Sequence, residues 1–179
     1  MKIVFTAFLF FCLLPLCYAA EDYELHVKHL AAGTPEKDIK AALRAFDTAG
    51  TAAFATLIAH FSDTAPAEPR FFQRETVDIV DGRIVGLHAP QIGEVCFDIL
   101  QSQIEGNWPK AYRVHYVLSR DNAKQWLAEH KELTIPQLQR LSREESLRRA
   151  EAALAKDPSA EYLKGDIAFL RKKIEALKK

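Results

Sequence analysis

Ile39 to Asp63 reads IKAALRAFDTAGTAAFATLIAHFSD, and its spacing decides the fold. Ile39, Ala42, Leu43 and Phe46 fall at i, i+3, i+4 and i+7, which lays one apolar stripe along a helix. Phe54, Leu57, Ile58 and Phe61 repeat that spacing after Gly50. Thr34 is the expected N-cap of the first helix, Pro35 its first residue and Gly50 its stop. Two short helices joined at one glycine predict an antiparallel αα-hairpin, because neither buries its stripe alone.

Outward from this hairpin the chain stays helical on both sides. Asp22 to Ala32 reads as a short preceding helix. Ser62 to Arg70 is rich in Pro, Ala and Asp and reads as a loop. Thr76 to Leu87 then changes period: Val77 and Ile79 alternate with Asp78, and Asp81-Gly82 supplies a tight turn before Ile84 and Val85. That pattern predicts a β-hairpin with Ile79 opposite Ile84.

Ile92 to Ile104 is apolar around much of a helical girth and is the expected central helix, ended by Gly106-Asn107-Trp108-Pro109. Tyr112 to Leu118 suits a strand or an extended connector equally. Ser119 to His130 is a further helix with Ala123, Trp126 and Leu127 inward.

Thr134 to Gln137 and Ser142 to Glu145 both match the capping box, which predicts helix starts at each. Asp157-Pro158 is a break. Leu163, Ile167, Leu170, Ile174 and Leu177 then step by four and three, a seam of coiled-coil type. It predicts a terminal helical hairpin, or self-association through Leu163, Ile167, Leu170 and Ile174. Gly165 inside that helix suggests a close crossing, since glycine there costs about 1 kcal/mol against alanine.

Met1 to Ala19 carries a targeting signature. Lys2 precedes fourteen uncharged residues, Ile3 to Leu16, and Cys17-Tyr18-Ala19 presents small residues before a cut. A membrane-spanning helix needs about 20 apolar residues, so the segment reads as a secretory signal and no anchor follows its removal. The expected product is exported, to the periplasm or beyond the cell. Lipidation at Cys17 is disfavoured, because Leu16 stands where a lipoprotein signal wants a small residue. The expected organisation is 1–19 signal, 20–157 helical domain with its β-hairpin near 76–87, and 158–179 a C-terminal helix packed on the one before it.

Lys2 is the signal's only charge, so 23 basic and 24 acidic residues remain beyond it. Near-neutrality argues against nucleic acid or an anionic membrane as partner. Cys96 is the only cysteine outside the signal, so the fold rests on its core rather than on disulfides.

Leu43, Gly50, Ala53, Leu57-Ile58 and Asp63 resemble the pattern of HEAT-like repeats of the phycobilisome-lyase type. The chain also resembles exported bacterial proteins in which such a hairpin precedes a segment like Gly93-Glu94-Val95-Cys96-Phe97-Asp98-Ile99-Leu100, a likeness that implies no particular activity. The HEAT-like resemblance implies a mainly α fold, a short array of antiparallel helical hairpins with a small β-hairpin insertion. It also implies a concave surface for a protein or peptide. One convincing unit is present, with a degenerate second around Ile92 to Leu127, and the ribbon interrupts any strict period.

Chemistry-bearing residues are few. His60, Asp63, His88 and His115 are the catalytic candidates for an alternative reading as a small exported, metal-dependent hydrolase, but no spacing forces them together. His26 and His29 share a helix face, yet two ligands make no metal site. Cys96, among Val95, Phe97 and Ile99, has the company of an inert core thiol. Phe71, Phe72, Arg74 and Trp108 are the candidate binding residues, since exposed aromatics beside arginine anchor interfaces. The sequence implies no cofactor. The leading expectation is therefore a non-catalytic module that binds a protein partner.

Overall fold

The computed structural model describes residues 22–72, 77–80, 83–87, 90–106 and 116–177. The proposed signal with Cys17, the turn Asp81-Gly82, and Arg74, His88, Trp108 and His115 lie outside the described residues.

The chain is mainly helical. The Asp22 carboxylate accepts the Leu25 amide at 3.1 Å and starts α1 (Tyr23–Lys28). Helix α2 (Glu36–Ala49) opens after Pro35, one residue later than the Thr34 cap implies, and buries Ile39, Ala42, Ala45 and Phe46. It ends at Gly50, whose φ of 59° and ψ of −138° suit glycine. A 3₁₀ turn (Gly50–Ala53) leads into α3 (Phe54–Ala59).

The expected pairing of α2 on α3 is shifted by one helix: α2 packs mainly on α1, and α3 mainly on α4 (Ile92–Glu105). The reason is length. Six residues make α3 about 9 Å long, and the 3₁₀ turn re-aims it away from α2.

Helix α4 is the most buried element, hiding Ile92, Val95, Cys96, Phe97, Leu100 and Ile104. Its first turn rests directly on the carbonyl end of α3. A Cβ at Gly93 would collide with the Phe61 carbonyl oxygen and lie 2.9 Å from that of His60, so only glycine permits this approach. The Gln91–Glu94 capping box closes its N-terminus.

Between these helices, residues 65–68 form a stitch. Ala32 N donates to Pro66 O at 3.0 Å and Glu68 N to Leu30 O at 2.9 Å. On the other side Ala67 N donates to Pro90 O and Ile92 N to Ala65 O, both at 2.8 Å. Strands β1 (Val77–Val80) and β2 (Arg83–Leu87) pair antiparallel, Ile79 opposite Ile84 and Val80 opposite Arg83, with an irregularity between Val77 and Ile79.

Helix α5 (Ala123–Glu129) buries Ala123, Trp126 and Leu127. The Thr134–Gln137 capping box starts α6, which runs unbroken over Ile135–Lys156. The second capping box, Ser142–Glu145, starts nothing. Ser142 lies inside α6 and its hydroxyl donates to Glu105 at 3.0 Å, because a tertiary acceptor outweighs a local cap.

Side-chain amides tie the helices end to end. Gln103 donates to Phe46 O and Gln139 to Gln103 O, each at 2.7 Å, which satisfies carbonyls that a helix C-terminus leaves open.

Helix α7 (Glu161–Ala176) packs on α6, and Leu163, Ile167, Leu170 and Ile174 are all buried within the chain. The seam is thus occupied in cis. Gly165 marks no close crossing: nothing lies within 4 Å of a Cβ placed there, so its cost is not offset by contact. No helix of the described residues is long and apolar enough to cross a membrane.

Candidate functional site

His60 closes α3, and the turn that follows it carries Asp63. His60 Nδ1 lies 3.4 Å from Asp63 Oδ2, so these two candidates do meet. The other ring nitrogen, Nε2, lies 2.9 Å from Glu24 Oε2 on α1. Glu24 is 36 residues away in sequence, so no local spacing signals it.

Both ring nitrogens donate to carboxylates only when the ring is an imidazolium. The Glu24 hydrogen bond is the main cause that raises the His60 pKa, against the opposing effect of burial and with help from Asp63. A ring held this way has no lone pair with which to take a proton, so it is poorly arranged as a general base. Asp63 is itself engaged, since its Oδ1 accepts the Ala65 amide at 2.9 Å.

Cys96 is fully buried, and its thiol is pushed up to about 12 by burial first and by the charges of Asp63 and Glu24. It is a core thiol with no thiolate to offer. His26 and His29 have rings 6.3 Å apart, yet no group of three or more potential ligands assembles among the described residues. Phe71 and Phe72 are half-buried with rings 6.4 Å apart, and Phe72 packs against the main core.

Beside His60 lies an open cleft of about 660 Å³, formed by Phe61, Phe97, Gln101, Tyr116, Leu118 and Arg120 with neighbouring polar residues. Phe61 and Phe97 meet edge to face, 5.6 Å between centroids at 84°. Tyr116 is 41% exposed. The Arg120 guanidinium donates to the Phe61 carbonyl oxygen, and Gln101 donates to Leu118 O at 3.2 Å, so both walls are anchored.

Arg120 has further N–H groups to present, because a guanidinium carries five. The apolar spacing places Phe61 in a helix stripe and Phe97 in the central helix, and no local spacing brings either beside Arg120; Phe61 reaches the cleft because it lies just past the end of α3.

Beneath the cleft floor, Glu105 holds the segment that supplies Tyr116 and Leu118. It is 3% exposed, and its Oε1 accepts Val117 N at 2.6 Å and Leu118 N at 3.2 Å. Arg149 donates to Tyr116 O at 2.9 Å from the other side. Tyr116 has its pKa raised by burial, then by the charges of Glu105 and Asp98. The phenol therefore stays protonated and able to donate.

Compared with known proteins, the chain matches no family model, no curated protein and no solved structure.

Proposed function

We propose that this chain is an exported helical scaffold that holds a protein partner in the aromatic cleft, without catalysis. The observation that carries the reading is the cleft itself. Tyr116 and Arg120 stand exposed on one open surface, backed by an edge-to-face pair, Phe61 and Phe97, that belongs to the buried core. Aromatic and arginine side chains dominate protein interfaces because each contributes large area, the aromatics with few rotatable bonds and arginine with a planar tip of several donors.

Export is part of the proposal and rests on the pattern of Met1 to Ala19. The architecture we attach to it is a short HEAT-like array of sequential helical pairs, α1 with α2, α3 with α4 and α6 with α7, with the β-hairpin as an insertion. The hydrolase alternative draws on His60 and Asp63, and their arrangement weighs against it, since carboxylates engage both imidazole nitrogens.

A photo-crosslinking side chain placed at Tyr116, at Ser119 or at the exposed Arg148 of α6 tests the reading in the native envelope. The expected result is one common adduct from positions 116 and 119 that position 148 does not give. Adducts shared by all three positions, or none from 116 and 119, would overturn it.

A further inference from the structure

Three hollows among the described residues differ in how their charges are spent. The groove between α6 and α7 is lined by Glu151 and Arg171, which neutralise each other in an ion pair of 2.7 Å. The aromatic cleft carries Arg120 next to Asp121. The third, a pocket of about 320 Å³ between the Gly50–Ala59 segment and α5, has no acidic residue in its lining.

Its wall is largely apolar. Phe54, Leu127 and Leu138 are buried, while Ile58 and Leu133 are half-exposed. His130 closes one side: its ring lies 4.6 Å from that of Trp126, and its Nδ1 lies 2.7 Å from the Trp126 carbonyl oxygen. A carbonyl only accepts, so Nδ1 carries the proton and the ring is fixed.

Lys124 and Lys131 stand at the rim, one in the first turn of α5 and the other just past its end. The closest ion partner of Lys131 is Glu132 at 4.0 Å, with both side chains over three-quarters exposed, a contact worth almost nothing.

An apolar hollow under two exposed cations, with no acid in its lining, complements an amphiphilic anion. The volume lies at the lower end of the range for small-ligand sites, which runs from about 300 to 1,000 Å³. It suits a tail of medium length. We propose that the pocket between α3 and α5 binds a small amphiphilic monoanion of the fatty-acid type, its tail against Phe54, Leu127 and Leu138 and its head between Lys124 and Lys131.

This site shares no lining residue with the aromatic cleft and stands or falls without it.

Octanoate, octan-1-ol and octylamine are the probes, each titrated into the purified chain with amide shifts read by NMR. Octanoate is expected to shift Ala55, Leu127 and Ala128 saturably. Octan-1-ol should bind at least about tenfold more weakly, a gap that two ion contacts readily supply. Octylamine should not bind. The double substitution Lys124→Gln and Lys131→Gln, at exposed positions that the fold does not need, should bring octanoate down to the level of the alcohol.

Equal binding of acid and alcohol, binding of the amine, an unaffected double variant, or no saturable shift with octanoate would each overturn the proposal. A short peptide with leucine beside aspartate is a further arm. Tighter binding of that peptide than of octanoate would assign the pocket to protein instead and overturn it too.

Discussion

Glu68 in the 65–68 stitch and Glu105 at the α4–α6 junction are buried almost equally, 4% and 3% exposed, yet their surroundings push them in opposite directions. Glu68 meets a full charge: Arg70 Nε donates at 2.5 Å and Gly33 N at 2.8 Å. The Arg70 hydrogen bond first, then that of Gly33, holds its carboxyl down to about 2. Glu105 receives the Val117 and Leu118 amides and the Ser142 hydroxyl, all neutral donors. There the cost of burial exceeds what those donors return, and the pKa is raised. Low exposure alone therefore does not set the charge of a carboxylate: Glu68 lies near the surface beside a full charge, Glu105 lies deeper among neutral donors, and depth and donor charge act together.

The hardest blow to this comparison falls on Glu105. Leucine at that position leaves two buried amides without an acceptor, and each such group costs about 1–3 kcal/mol. Glu105→Leu is expected to lose about 3 kcal/mol in urea unfolding followed by circular dichroism. Glu105→Gln keeps the accepting oxygen and should stay within about 1 kcal/mol of the parent chain. If leucine is tolerated as well as glutamine, the amide bonds are not what holds residues 117–118, and the cleft wall rests on packing alone.

How much of this was legible beforehand differs between the two regions. The helices that carry Glu105 and Ser142 announce themselves, because α4 and α6 have strong apolar or capping signals over many residues. Glu105 itself ends the largely polar run Gln101-Ser102-Gln103-Ile104-Glu105 before Gly106, and the one sign it gives is an acid at the negative end of a helix dipole.

Glu68 gave no such sign, since a loop of Pro, Ala and Asp has no period to violate. The partnership of Glu24 with His60 is equally silent, because it depends on α1 packing near α3. The false start at Ser142 has the same origin: a capping pattern is local, while the acceptor that claims the hydroxyl comes from α4. Local periodicity reported the helices; which helix lies on which was decided by the short α3 and by the close approach at Gly93.

A second test separates the two carboxylates by pH. Glu68 has a folded pKa below its unfolded value, so the stability it contributes is present above about pH 4.5 and lost as pH falls toward about 2. Glu105 has a folded pKa above its unfolded value. Its contribution is full below about pH 4.5 and declines as pH rises through the folded pKa. Melting temperatures taken across that span should show an acid-side slope that Glu68→Gln flattens, and a slope above about pH 4.5 that Glu105→Gln flattens. Both substitutions acting on the same limb would dissolve the contrast.

The smallest expected effect sharpens the comparison at the surface. Carboxylate partners favour the charged form of His60 as Arg70 favours that of Glu68, but Glu24 is 55% exposed and water screens the pair. The raised His60 pKa means that its contribution is full below about pH 6.5 and is lost as pH rises through the folded value. Glu24→Gln removes the charged acceptor that does most to raise this pKa, so it should cost below about 1 kcal/mol at mildly acidic pH and nothing at alkaline pH. Urea midpoints at the two pH values measure it. An equal loss at both would mean that Glu24 ties α1 to α3 by geometry rather than by charge. The rule drawn from Glu68 would then hold only where water is excluded.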